Sequence, residues 1–106
     1  MRRGEIWWAE LDKPAGRRPV VLLSRDEAYP VRELVTIAPV TTRVRGIQVE
    51  LPLGKNEGLT RPCVANLDTI TTIYKSCLME RIGFLSEDKL MELDNAIKFA
   101  LGIAEE

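Results

Sequence analysis

The sequence predicts a mainly β protein of the α+β class, with about six short strands followed by one helix at the carboxyl terminus. Short apolar runs separated by loops that contain Gly and Pro indicate the strands, and the last segment changes to helical spacing. The chain has 106 residues, of which 45% are hydrophobic, and a chain of this size supports one core rather than two. We therefore expect residues 1–106 to form a single domain.

The first two strands are expected at residues 5–11 and 19–23, which read "EIWWAEL" and "PVVLL". The residues between them include a proline and a glycine, which is typical of a loop. Because side chains alternate along a strand, the adjacent Trp7 and Trp8 are expected on opposite faces. One of them would lie in the core, and the other would be placed to stack on a base or to fill a dimer interface.

Four further strands are expected at residues 35–40, 47–51, 63–68 and 77–85. The third strand of the chain, "VTIAPV", is rich in β-branched residues, and the fourth, "IQVEL", alternates as a half-buried strand does. Residues 69–76 are polar, and we expect them to connect the last two strands without forming a strand themselves.

The helix is expected to begin after Ser86, which is a good N-cap residue and is followed by two acidic residues in the first turn. Gly102 is expected to end it. Apolar residues recur between these two positions at helical spacing, at Leu90, Leu93, Ile97, Ala100 and Leu101. The spacing predicts an amphipathic helix that packs on the sheet and turns a solvated acidic face outward.

The residue types present exclude several kinds of chemistry. The chain contains no histidine, which excludes Ser-His-Asp and Cys-His catalysis and histidine-ligated zinc. It also lacks a glycine-rich phosphate loop of the Walker or dinucleotide type. Cys63 and Cys77 have neither metal-site nor redox-motif spacing, so we expect two reduced, partly buried thiols and no metal or other cofactor.

The sequence also bears on location. No apolar stretch approaches the roughly 18 residues that cross a bilayer. The amino terminus "MRRGEIWW" lacks the long apolar region of a signal peptide. We expect a cytoplasmic protein without a membrane partner.

Charge is segregated along the chain. Residues 1–61 hold 11 Lys and Arg against 8 Asp and Glu, a net charge of +3, whereas residues 62–106 hold 4 against 8, a net charge of −4. A basic face attracts phosphate even when the total charge is near zero, because fields act within about 8–10 Å in physiological salt. Ordinary solvated charge remains an alternative interpretation of this pattern.

Two short stretches carry the candidate chemistry. In "GRRPVVLLS", Pro19 leads into an apolar strand that would hold Arg18 at a rigid strand end, where its guanidinium suits a phosphate. Arg17 would point elsewhere, because successive side chains diverge. In "APVTTRVRG", two threonines at a strand end offer hydroxyl groups, and Arg43 and Arg45 extend the positive charge. A structural ion pair is the alternative role for Arg18.

The ordered set of stretches "RRGEIWWAEL", "RPVVLLS", "VTIAPVTT", "NLDTI" and "RIGFLSEDKLMELDNAIKFALGI" resembles the MazF/PemK toxin endoribonucleases over nearly the whole chain. The resemblance implies an SH3-like β-barrel of the CcdB/MazF type with a carboxyl-terminal helix. It also implies a homodimer that cleaves single-stranded RNA at short motifs without a metal. A cognate antitoxin with an acidic carboxyl-terminal segment, similar to MazE, is expected to inhibit it.

The resemblance also implies roles for individual residues. Arg18 matches the catalytic arginine of the family's "RP" motif, and Thr41 matches the threonine after the third strand. RNA supplies its own nucleophile, the 2′-hydroxyl, so the enzyme has to align it, take its proton and stabilise the phosphorane. Arg18 would stabilise the charge and Thr41 would hydrogen-bond the scissile phosphate. Contacts to RNA are expected from Arg17, Thr42, Arg43, Arg45 and Asn66.

Two departures from the family pattern concern the general base. The loop before Arg18 is short, and its one acid is Asp12, whereas many relatives have a longer loop with an acidic residue. Asp68 matches an acidic position that some relatives use, but Thr71 stands where an arginine is usual. Asp68 is therefore the first candidate for the base and Asp12 the second.

Two other functions fit the same barrel. One is a non-enzymatic gyrase poison similar to CcdB, and the other is a simple RNA-binding module. Arg18 and Thr41 favour the ribonuclease, because a protein that acts by binding gyrase has no need of this pair.

Overall fold

The computed structural model describes residues 1–104, in which seven strands precede one α-helix. The helix α1 spans Glu87–Leu101. The strands are β1 (Glu5–Glu10), β2 (Arg17–Leu22), β3 (Leu34–Thr41), β4 (Glu50–Leu53), β5 (Cys63–Asn66), β6 (Thr71–Tyr74) and β7 (Leu78–Phe84).

All seven strands belong to one antiparallel sheet, in which six follow the order β4-β5-β3-β2-β1-β7 and β6 pairs with β3. The central strand β3 pairs with β2 along one edge. Along its other edge, its first half pairs with β6 and its last two residues pair with β5. The end of β3 at Thr41 is therefore held by β5, two residues beyond the last residue that pairs with β2.

The sheet carries apolar side chains on both faces. Val21 lies on the face that packs against Leu93 of α1, whereas Val20 and Leu22 lie on the opposite face beside Tyr29. All three β2 residues are fully buried. Burial on both faces explains why the second strand reads as an unbroken apolar run instead of alternating.

The expected helix is confirmed. The Ser86 hydroxyl oxygen accepts a hydrogen bond from the Lys89 backbone N–H at 3.2 Å. Gly102 ends the helix with a φ of +69°, a left-handed conformation that suits glycine. Within residues 1–104 no helix has the length and apolar character needed to cross a bilayer. Both cysteines are free thiols, with Cys63 buried and Cys77 half-buried, as expected.

Two strand predictions were wrong. Residues 71–74 form β6, although they were expected to connect strands; the strand is short and mostly exposed, so it shows no buried alternation. The strand expected at residues 47–51 lies at Glu50–Leu53 instead, because residues 48 and 49 form a turn. Glu50 is buried there, and its carboxylate lies beside Arg45.

Candidate active site

The candidate site lies where β2 begins and β3 ends. The two strands pair with Val20 opposite Pro39 and Leu22 opposite Ile37. The same register, continued two residues outward, sets Arg18 opposite Thr41. Because side chains alternate, both residues share the face of Val20 and Pro39.

A cavity of about 510 Å³ opens at this position. It brings together five of the residues that the sequence singles out, namely Arg18, Thr41, Arg43, Arg45 and Asn66. Six further lining residues were not among the predicted site residues: Ile37 and Pro39 on β3, and Leu11, Ala15, Thr69 and Thr71. The positions of the last four depend on how the loop after β1 and the segment after β5 fold onto the sheet, for which the sequence holds no local signal.

Four predicted residues lie outside this cavity. Arg17 and Thr42 line a second cavity, of about 440 Å³, that opens on the other face of the same strand pair. Asp12 and Asp68 are exposed and line neither cavity. Among the described residues, the lining of the first cavity therefore contains three arginines and no carboxylate.

Arg18 is half-buried, and its Nε donates to the carbonyl oxygen of Ala15 at 3.4 Å. Across residues 1–104, no carboxylate lies within salt-bridge distance of its guanidinium. The structural ion pair considered from the sequence is therefore not formed in this part of the chain. The charge of Arg18 is available to an anionic ligand in the cavity.

Thr41 is the last residue of β3 and lines the first cavity together with Arg18. Its hydroxyl oxygen accepts a hydrogen bond from the Arg43 backbone N–H at 3.1 Å, which starts the loop between β3 and β4. A hydroxyl that accepts in this way keeps its own hydrogen to donate. Thr41 can therefore donate to a phosphate oxygen in the cavity.

Arg45 is held by a buried carboxylate. Its Nε donates to Glu50 Oε2 at 3.0 Å, and Glu50 Oε1 accepts from the backbone N–H groups of Arg45 and Gly46, each at 2.9 Å. Burial raises the pKa of Glu50, but the hydrogen bonds from Arg45 and Gly46 outweigh it and hold the pKa below its usual value. Glu50 is thus an anion that anchors one of the cavity arginines.

Asn66 ends β5 and shapes the segment that carries Asp68. Its side-chain oxygen accepts from the Asp68 backbone N–H at 3.0 Å, and its backbone oxygen accepts from the Thr69 hydroxyl at 3.2 Å. These bonds hold a short 3-10 helix at Leu67–Thr69. The helix directs Thr69 to the cavity, whereas Asp68 stays outside the lining.

The two tryptophans lie on opposite faces, as predicted. Trp7 packs on the core beside Tyr29, and its ring N–H donates to Glu5 at 3.0 Å. Trp8 lines the second cavity, where the Arg17 guanidinium lies 5.1 Å from the centre of its ring. This distance is within the range of a cation–π contact.

Fold and site together define a class of protein: a small antiparallel β protein whose paired strand ends hold an arginine-lined cavity suited to a phosphodiester. Within residues 1–104, no three His, Cys, Asp or Glu side chains are grouped so that they could hold a metal ion. Residues 2–101 match the family described as the PemK-like, MazF-like toxins of type II toxin-antitoxin systems. The chain belongs to this family.

Individual relatives agree with this assignment. The chain is 36% identical over 100 residues to the probable endoribonuclease MazF5 of Mycobacterium tuberculosis, which covers 93% of this chain and 91% of the relative. It is 39% identical over 89 residues to the endoribonuclease MazF3 of the same organism, covering 84% of each.

Solved structures show the same fold. The structure of the Mycobacterium tuberculosis toxin MazF-mt6 superposes with a TM-score of 0.89 at 36% identity, covering 95% of this chain and 99% of that one. A MazE-MazF structure from Deinococcus radiodurans superposes with a TM-score of 0.81 at 25% identity, covering 98% of this chain and 97% of that one. The predicted fold class, with its SH3-like sheet and terminal helix, is confirmed by this likeness.

Proposed function

We propose that this protein is the toxin of a type II toxin-antitoxin system, an endoribonuclease that cleaves single-stranded RNA with Arg18 and Thr41 at its catalytic centre. The observation that carries the proposal is the shared position of these two side chains. Both lie at the ends of paired strands and line one cavity, and Arg18 has no carboxylate partner among the described residues. Relatives named as endoribonucleases favour cleavage over a gyrase poison or a passive RNA-binding module.

In this proposal the 2′-hydroxyl of the RNA attacks the adjacent phosphorus, and the bond to the 5′-oxygen of the next nucleotide breaks. Arg18 stabilises the negative charge that develops on the phosphorane oxygens, and Thr41 donates a hydrogen bond to one of them. A general base takes the 2′-proton, and the leaving 5′-oxygen gains a proton. The products are a 2′,3′-cyclic phosphate and a 5′-hydroxyl.

The general base is assigned to Asp68 first and to Asp12 second. Both carboxylates are exposed and lie on segments that border the cavity, since Thr69 follows Asp68 and Leu11 precedes Asp12. A shift of either segment when RNA binds would bring its carboxylate toward the 2′-hydroxyl, as catalytic hydrogen bonds often tighten in the substrate complex.

RNA contacts are assigned to both faces of the strand pair. Arg43, Arg45 and Asn66 would hold the nucleotides around the scissile phosphate. Arg17 and Thr42 would contact the strand where it passes the end of the sheet. The positive charges of Arg17, Arg43 and Arg45 favour binding to the phosphate backbone independently of sequence.

Membership of the family supports a proposal for the biological setting. We place the toxin in the cytoplasm as a homodimer whose residues 1–106 form one domain. We propose that a MazE-like antitoxin blocks the cavity with an acidic segment. No metal or other cofactor takes part in this mechanism.

The chemical mechanism can be tested with a modified substrate. A cleavage site is first located in a pool of single-stranded RNA, and the nucleotide 5′ of the scissile bond is then replaced by its 2′-deoxy form. Cleavage at that bond should stop while binding of the RNA is nearly unchanged, and excess EDTA should not reduce cleavage of the unmodified RNA. Undiminished cutting of the deoxy substrate would exclude the 2′-hydroxyl as nucleophile, and loss of activity in EDTA would indicate a metal-dependent nuclease.

A further inference from the structure

We propose that Glu50 is a positioning residue of the ribonuclease site, which holds the loop between β3 and β4 so that the Arg45 guanidinium faces bound RNA. The proposal rests on the proposed function, because it assigns Glu50 to the same cavity. Glu50 itself does not line that cavity. It acts through the loop of residues 42–49, which we call the arginine loop because it carries Arg43 and Arg45.

The arginine loop has little burial of its own. Every residue from 42 to 48 is exposed, so hydrophobic packing contributes little to its conformation. One anchor is the Thr41 hydroxyl, which accepts from the Arg43 backbone N–H. A second is Glu50, whose side chain is only 1% exposed and which accepts from Arg45 and Gly46. The end of the loop is held at Val49, which is buried and whose carbonyl oxygen accepts from the Leu67 backbone N–H at 2.9 Å.

The backbone at Gly46 makes the second anchor possible. Gly46 has a φ of +70°, a conformation that residues with a side chain rarely adopt. With this conformation, two successive backbone N–H groups, those of Arg45 and Gly46, point at one oxygen of Glu50. Such a pair of N–H groups is an anion-binding arrangement, here occupied by the protein's own carboxylate.

The two carboxylate oxygens of Glu50 bind different parts of the loop. Oε1 binds the backbone of the loop, whereas Oε2 accepts from Nε of the Arg45 side chain. Arg45 is 45% exposed, so one side of its guanidinium is tied to Glu50 while much of the side chain reaches solvent at the cavity. An arginine held in this way loses less rotamer freedom when it binds phosphate.

The charge change makes this proposal distinguishable from a simple electrostatic effect. Neutralising Glu50 raises the net charge of the protein by one, and Coulomb attraction alone would then tighten RNA binding. If Glu50 positions Arg45, the same substitution weakens binding instead. The two explanations therefore predict changes of opposite sign.

The test substitution is Glu50→Gln, with Glu57→Gln as its matched control. A glutamine oxygen can still accept from the loop backbone, but its NH₂ group replaces the oxygen that Arg45 Nε requires. Glu57 is also buried, at 7% exposure, and accepts from the Gly54 backbone N–H at 2.7 Å, but it lies away from the cavity. Both substitutions remove one buried negative charge.

For Glu50→Gln we expect KM for a short RNA to rise on the order of tenfold with kcat changed by less than about twofold, since a charge-assisted hydrogen bond is lost but Arg18 and Thr41 are intact. The Kd of the non-cleavable 2′-deoxy RNA should rise by the same factor. Glu57→Gln should leave both constants unchanged or slightly lower. A fall or no change in KM and Kd for Glu50→Gln would overturn the proposal, and so would an equal rise in both variants.

Two further measurements keep the proposal testable if Glu50→Gln folds poorly or if the chain cuts no RNA. Arg45→Lys keeps the charge and the backbone bonds to Glu50 but lacks the planar fork, so it should also raise the Kd of the deoxy RNA severalfold. Amide exchange at Arg45 and Gly46, measured without RNA, should be protected in the wild type and at least about tenfold faster in Glu50→Ala. Wild-type affinity in Arg45→Lys or unprotected amides in the wild type would exclude the positioning role, whatever the outcome for cleavage.

Discussion

Arg17 and Arg18 are adjacent in the chain, but the strand directs them to different surfaces. Arg18 shares a face with Val20 and lines the first cavity, whereas Arg17 lies over the ring of Trp8 on the opposite face. The alternation of side chains in β2 is the cause. Two residues of identical chemistry therefore have different environments, and only Arg18 faces the proposed scissile phosphate.

Substitution of Arg18 tests this assignment. Arg18→Ala should reduce the rate of RNA cleavage by on the order of 10²-fold or more, because it removes a donor to the transition-state charge. Thr41→Val, which is nearly isosteric, should reduce the rate by about tenfold through loss of one hydrogen bond. Arg32→Ala is the control, since Arg32 is exposed and lines neither cavity. Cleavage by purified, folded Arg18→Ala at the wild-type rate would show that Arg18 is not catalytic.

Among the strands, β3 positions the largest part of the candidate site. It pairs with β2, β5 and β6, and its last residues bring Thr41 beside Arg18 and start the arginine loop. The helix α1 supports the sheet from the face opposite to the first cavity, through Leu93 and Ala96. The helix therefore packs on the face of the sheet opposite to the candidate catalytic residues, whose own face carries the second buried cluster around Val20, Ile37 and Tyr29.

The packing of α1 on the sheet predicts how truncation of a buried helix side chain changes the stability of the protein. Leu93→Ala should lower the free energy of unfolding by about 2–5 kcal/mol, because Leu93 is fully buried and the substitution leaves a cavity. Met91→Ala on the same helix should change it by less than about 0.5 kcal/mol, because Met91 is 66% exposed. Urea denaturation at one fixed protein concentration measures both. Equal losses for the two variants would contradict the described packing of α1.

At the scale of the whole molecule, the charge asymmetry of the sequence has a structural counterpart. The arginines of the first cavity all come from the basic segment of residues 1–61, and the acidic residues of α1 come from the other segment. A protein with a net charge of −1 can therefore present a basic surface to RNA.

An acidic antitoxin segment that covers the cavity should bind in a salt-dependent way. We expect the affinity of the cognate antitoxin for the wild type to fall as salt rises, because exposed charges are screened within about 8–10 Å. The double variant Arg43→Ala/Arg45→Ala should show a weaker salt dependence than Arg32→Ala. Light scattering at micromolar concentration should give the mass of a dimer. A monomer, or an antitoxin affinity that does not change with salt, would count against this arrangement.

The sequence by itself predicted the features that depend on neighbouring residues. The helix boundaries were predictable because Ser86 and Gly102 act on the backbone within one turn. Arg18 and Thr41 were proposed as site residues from their place at strand ends and from the family resemblance, and the structure places both in one cavity lining. The edge strand β6 was missed, because its four residues have no buried face to impose a pattern.

Tertiary structure decided which of these residues meet. Arg18 and Thr41 line one cavity, Arg17 lies over Trp8 on the opposite face, and the short helix after Asn66 leaves Asp68 outside the lining of that cavity. The burial of Glu50 could not be predicted from alternation, because a carboxylate is buried only where donors from elsewhere compensate its lost hydration. Those donors are the backbone N–H groups of Arg45 and Gly46, five and four residues before Glu50, which meet its carboxylate because Gly46 adopts a φ of +70°.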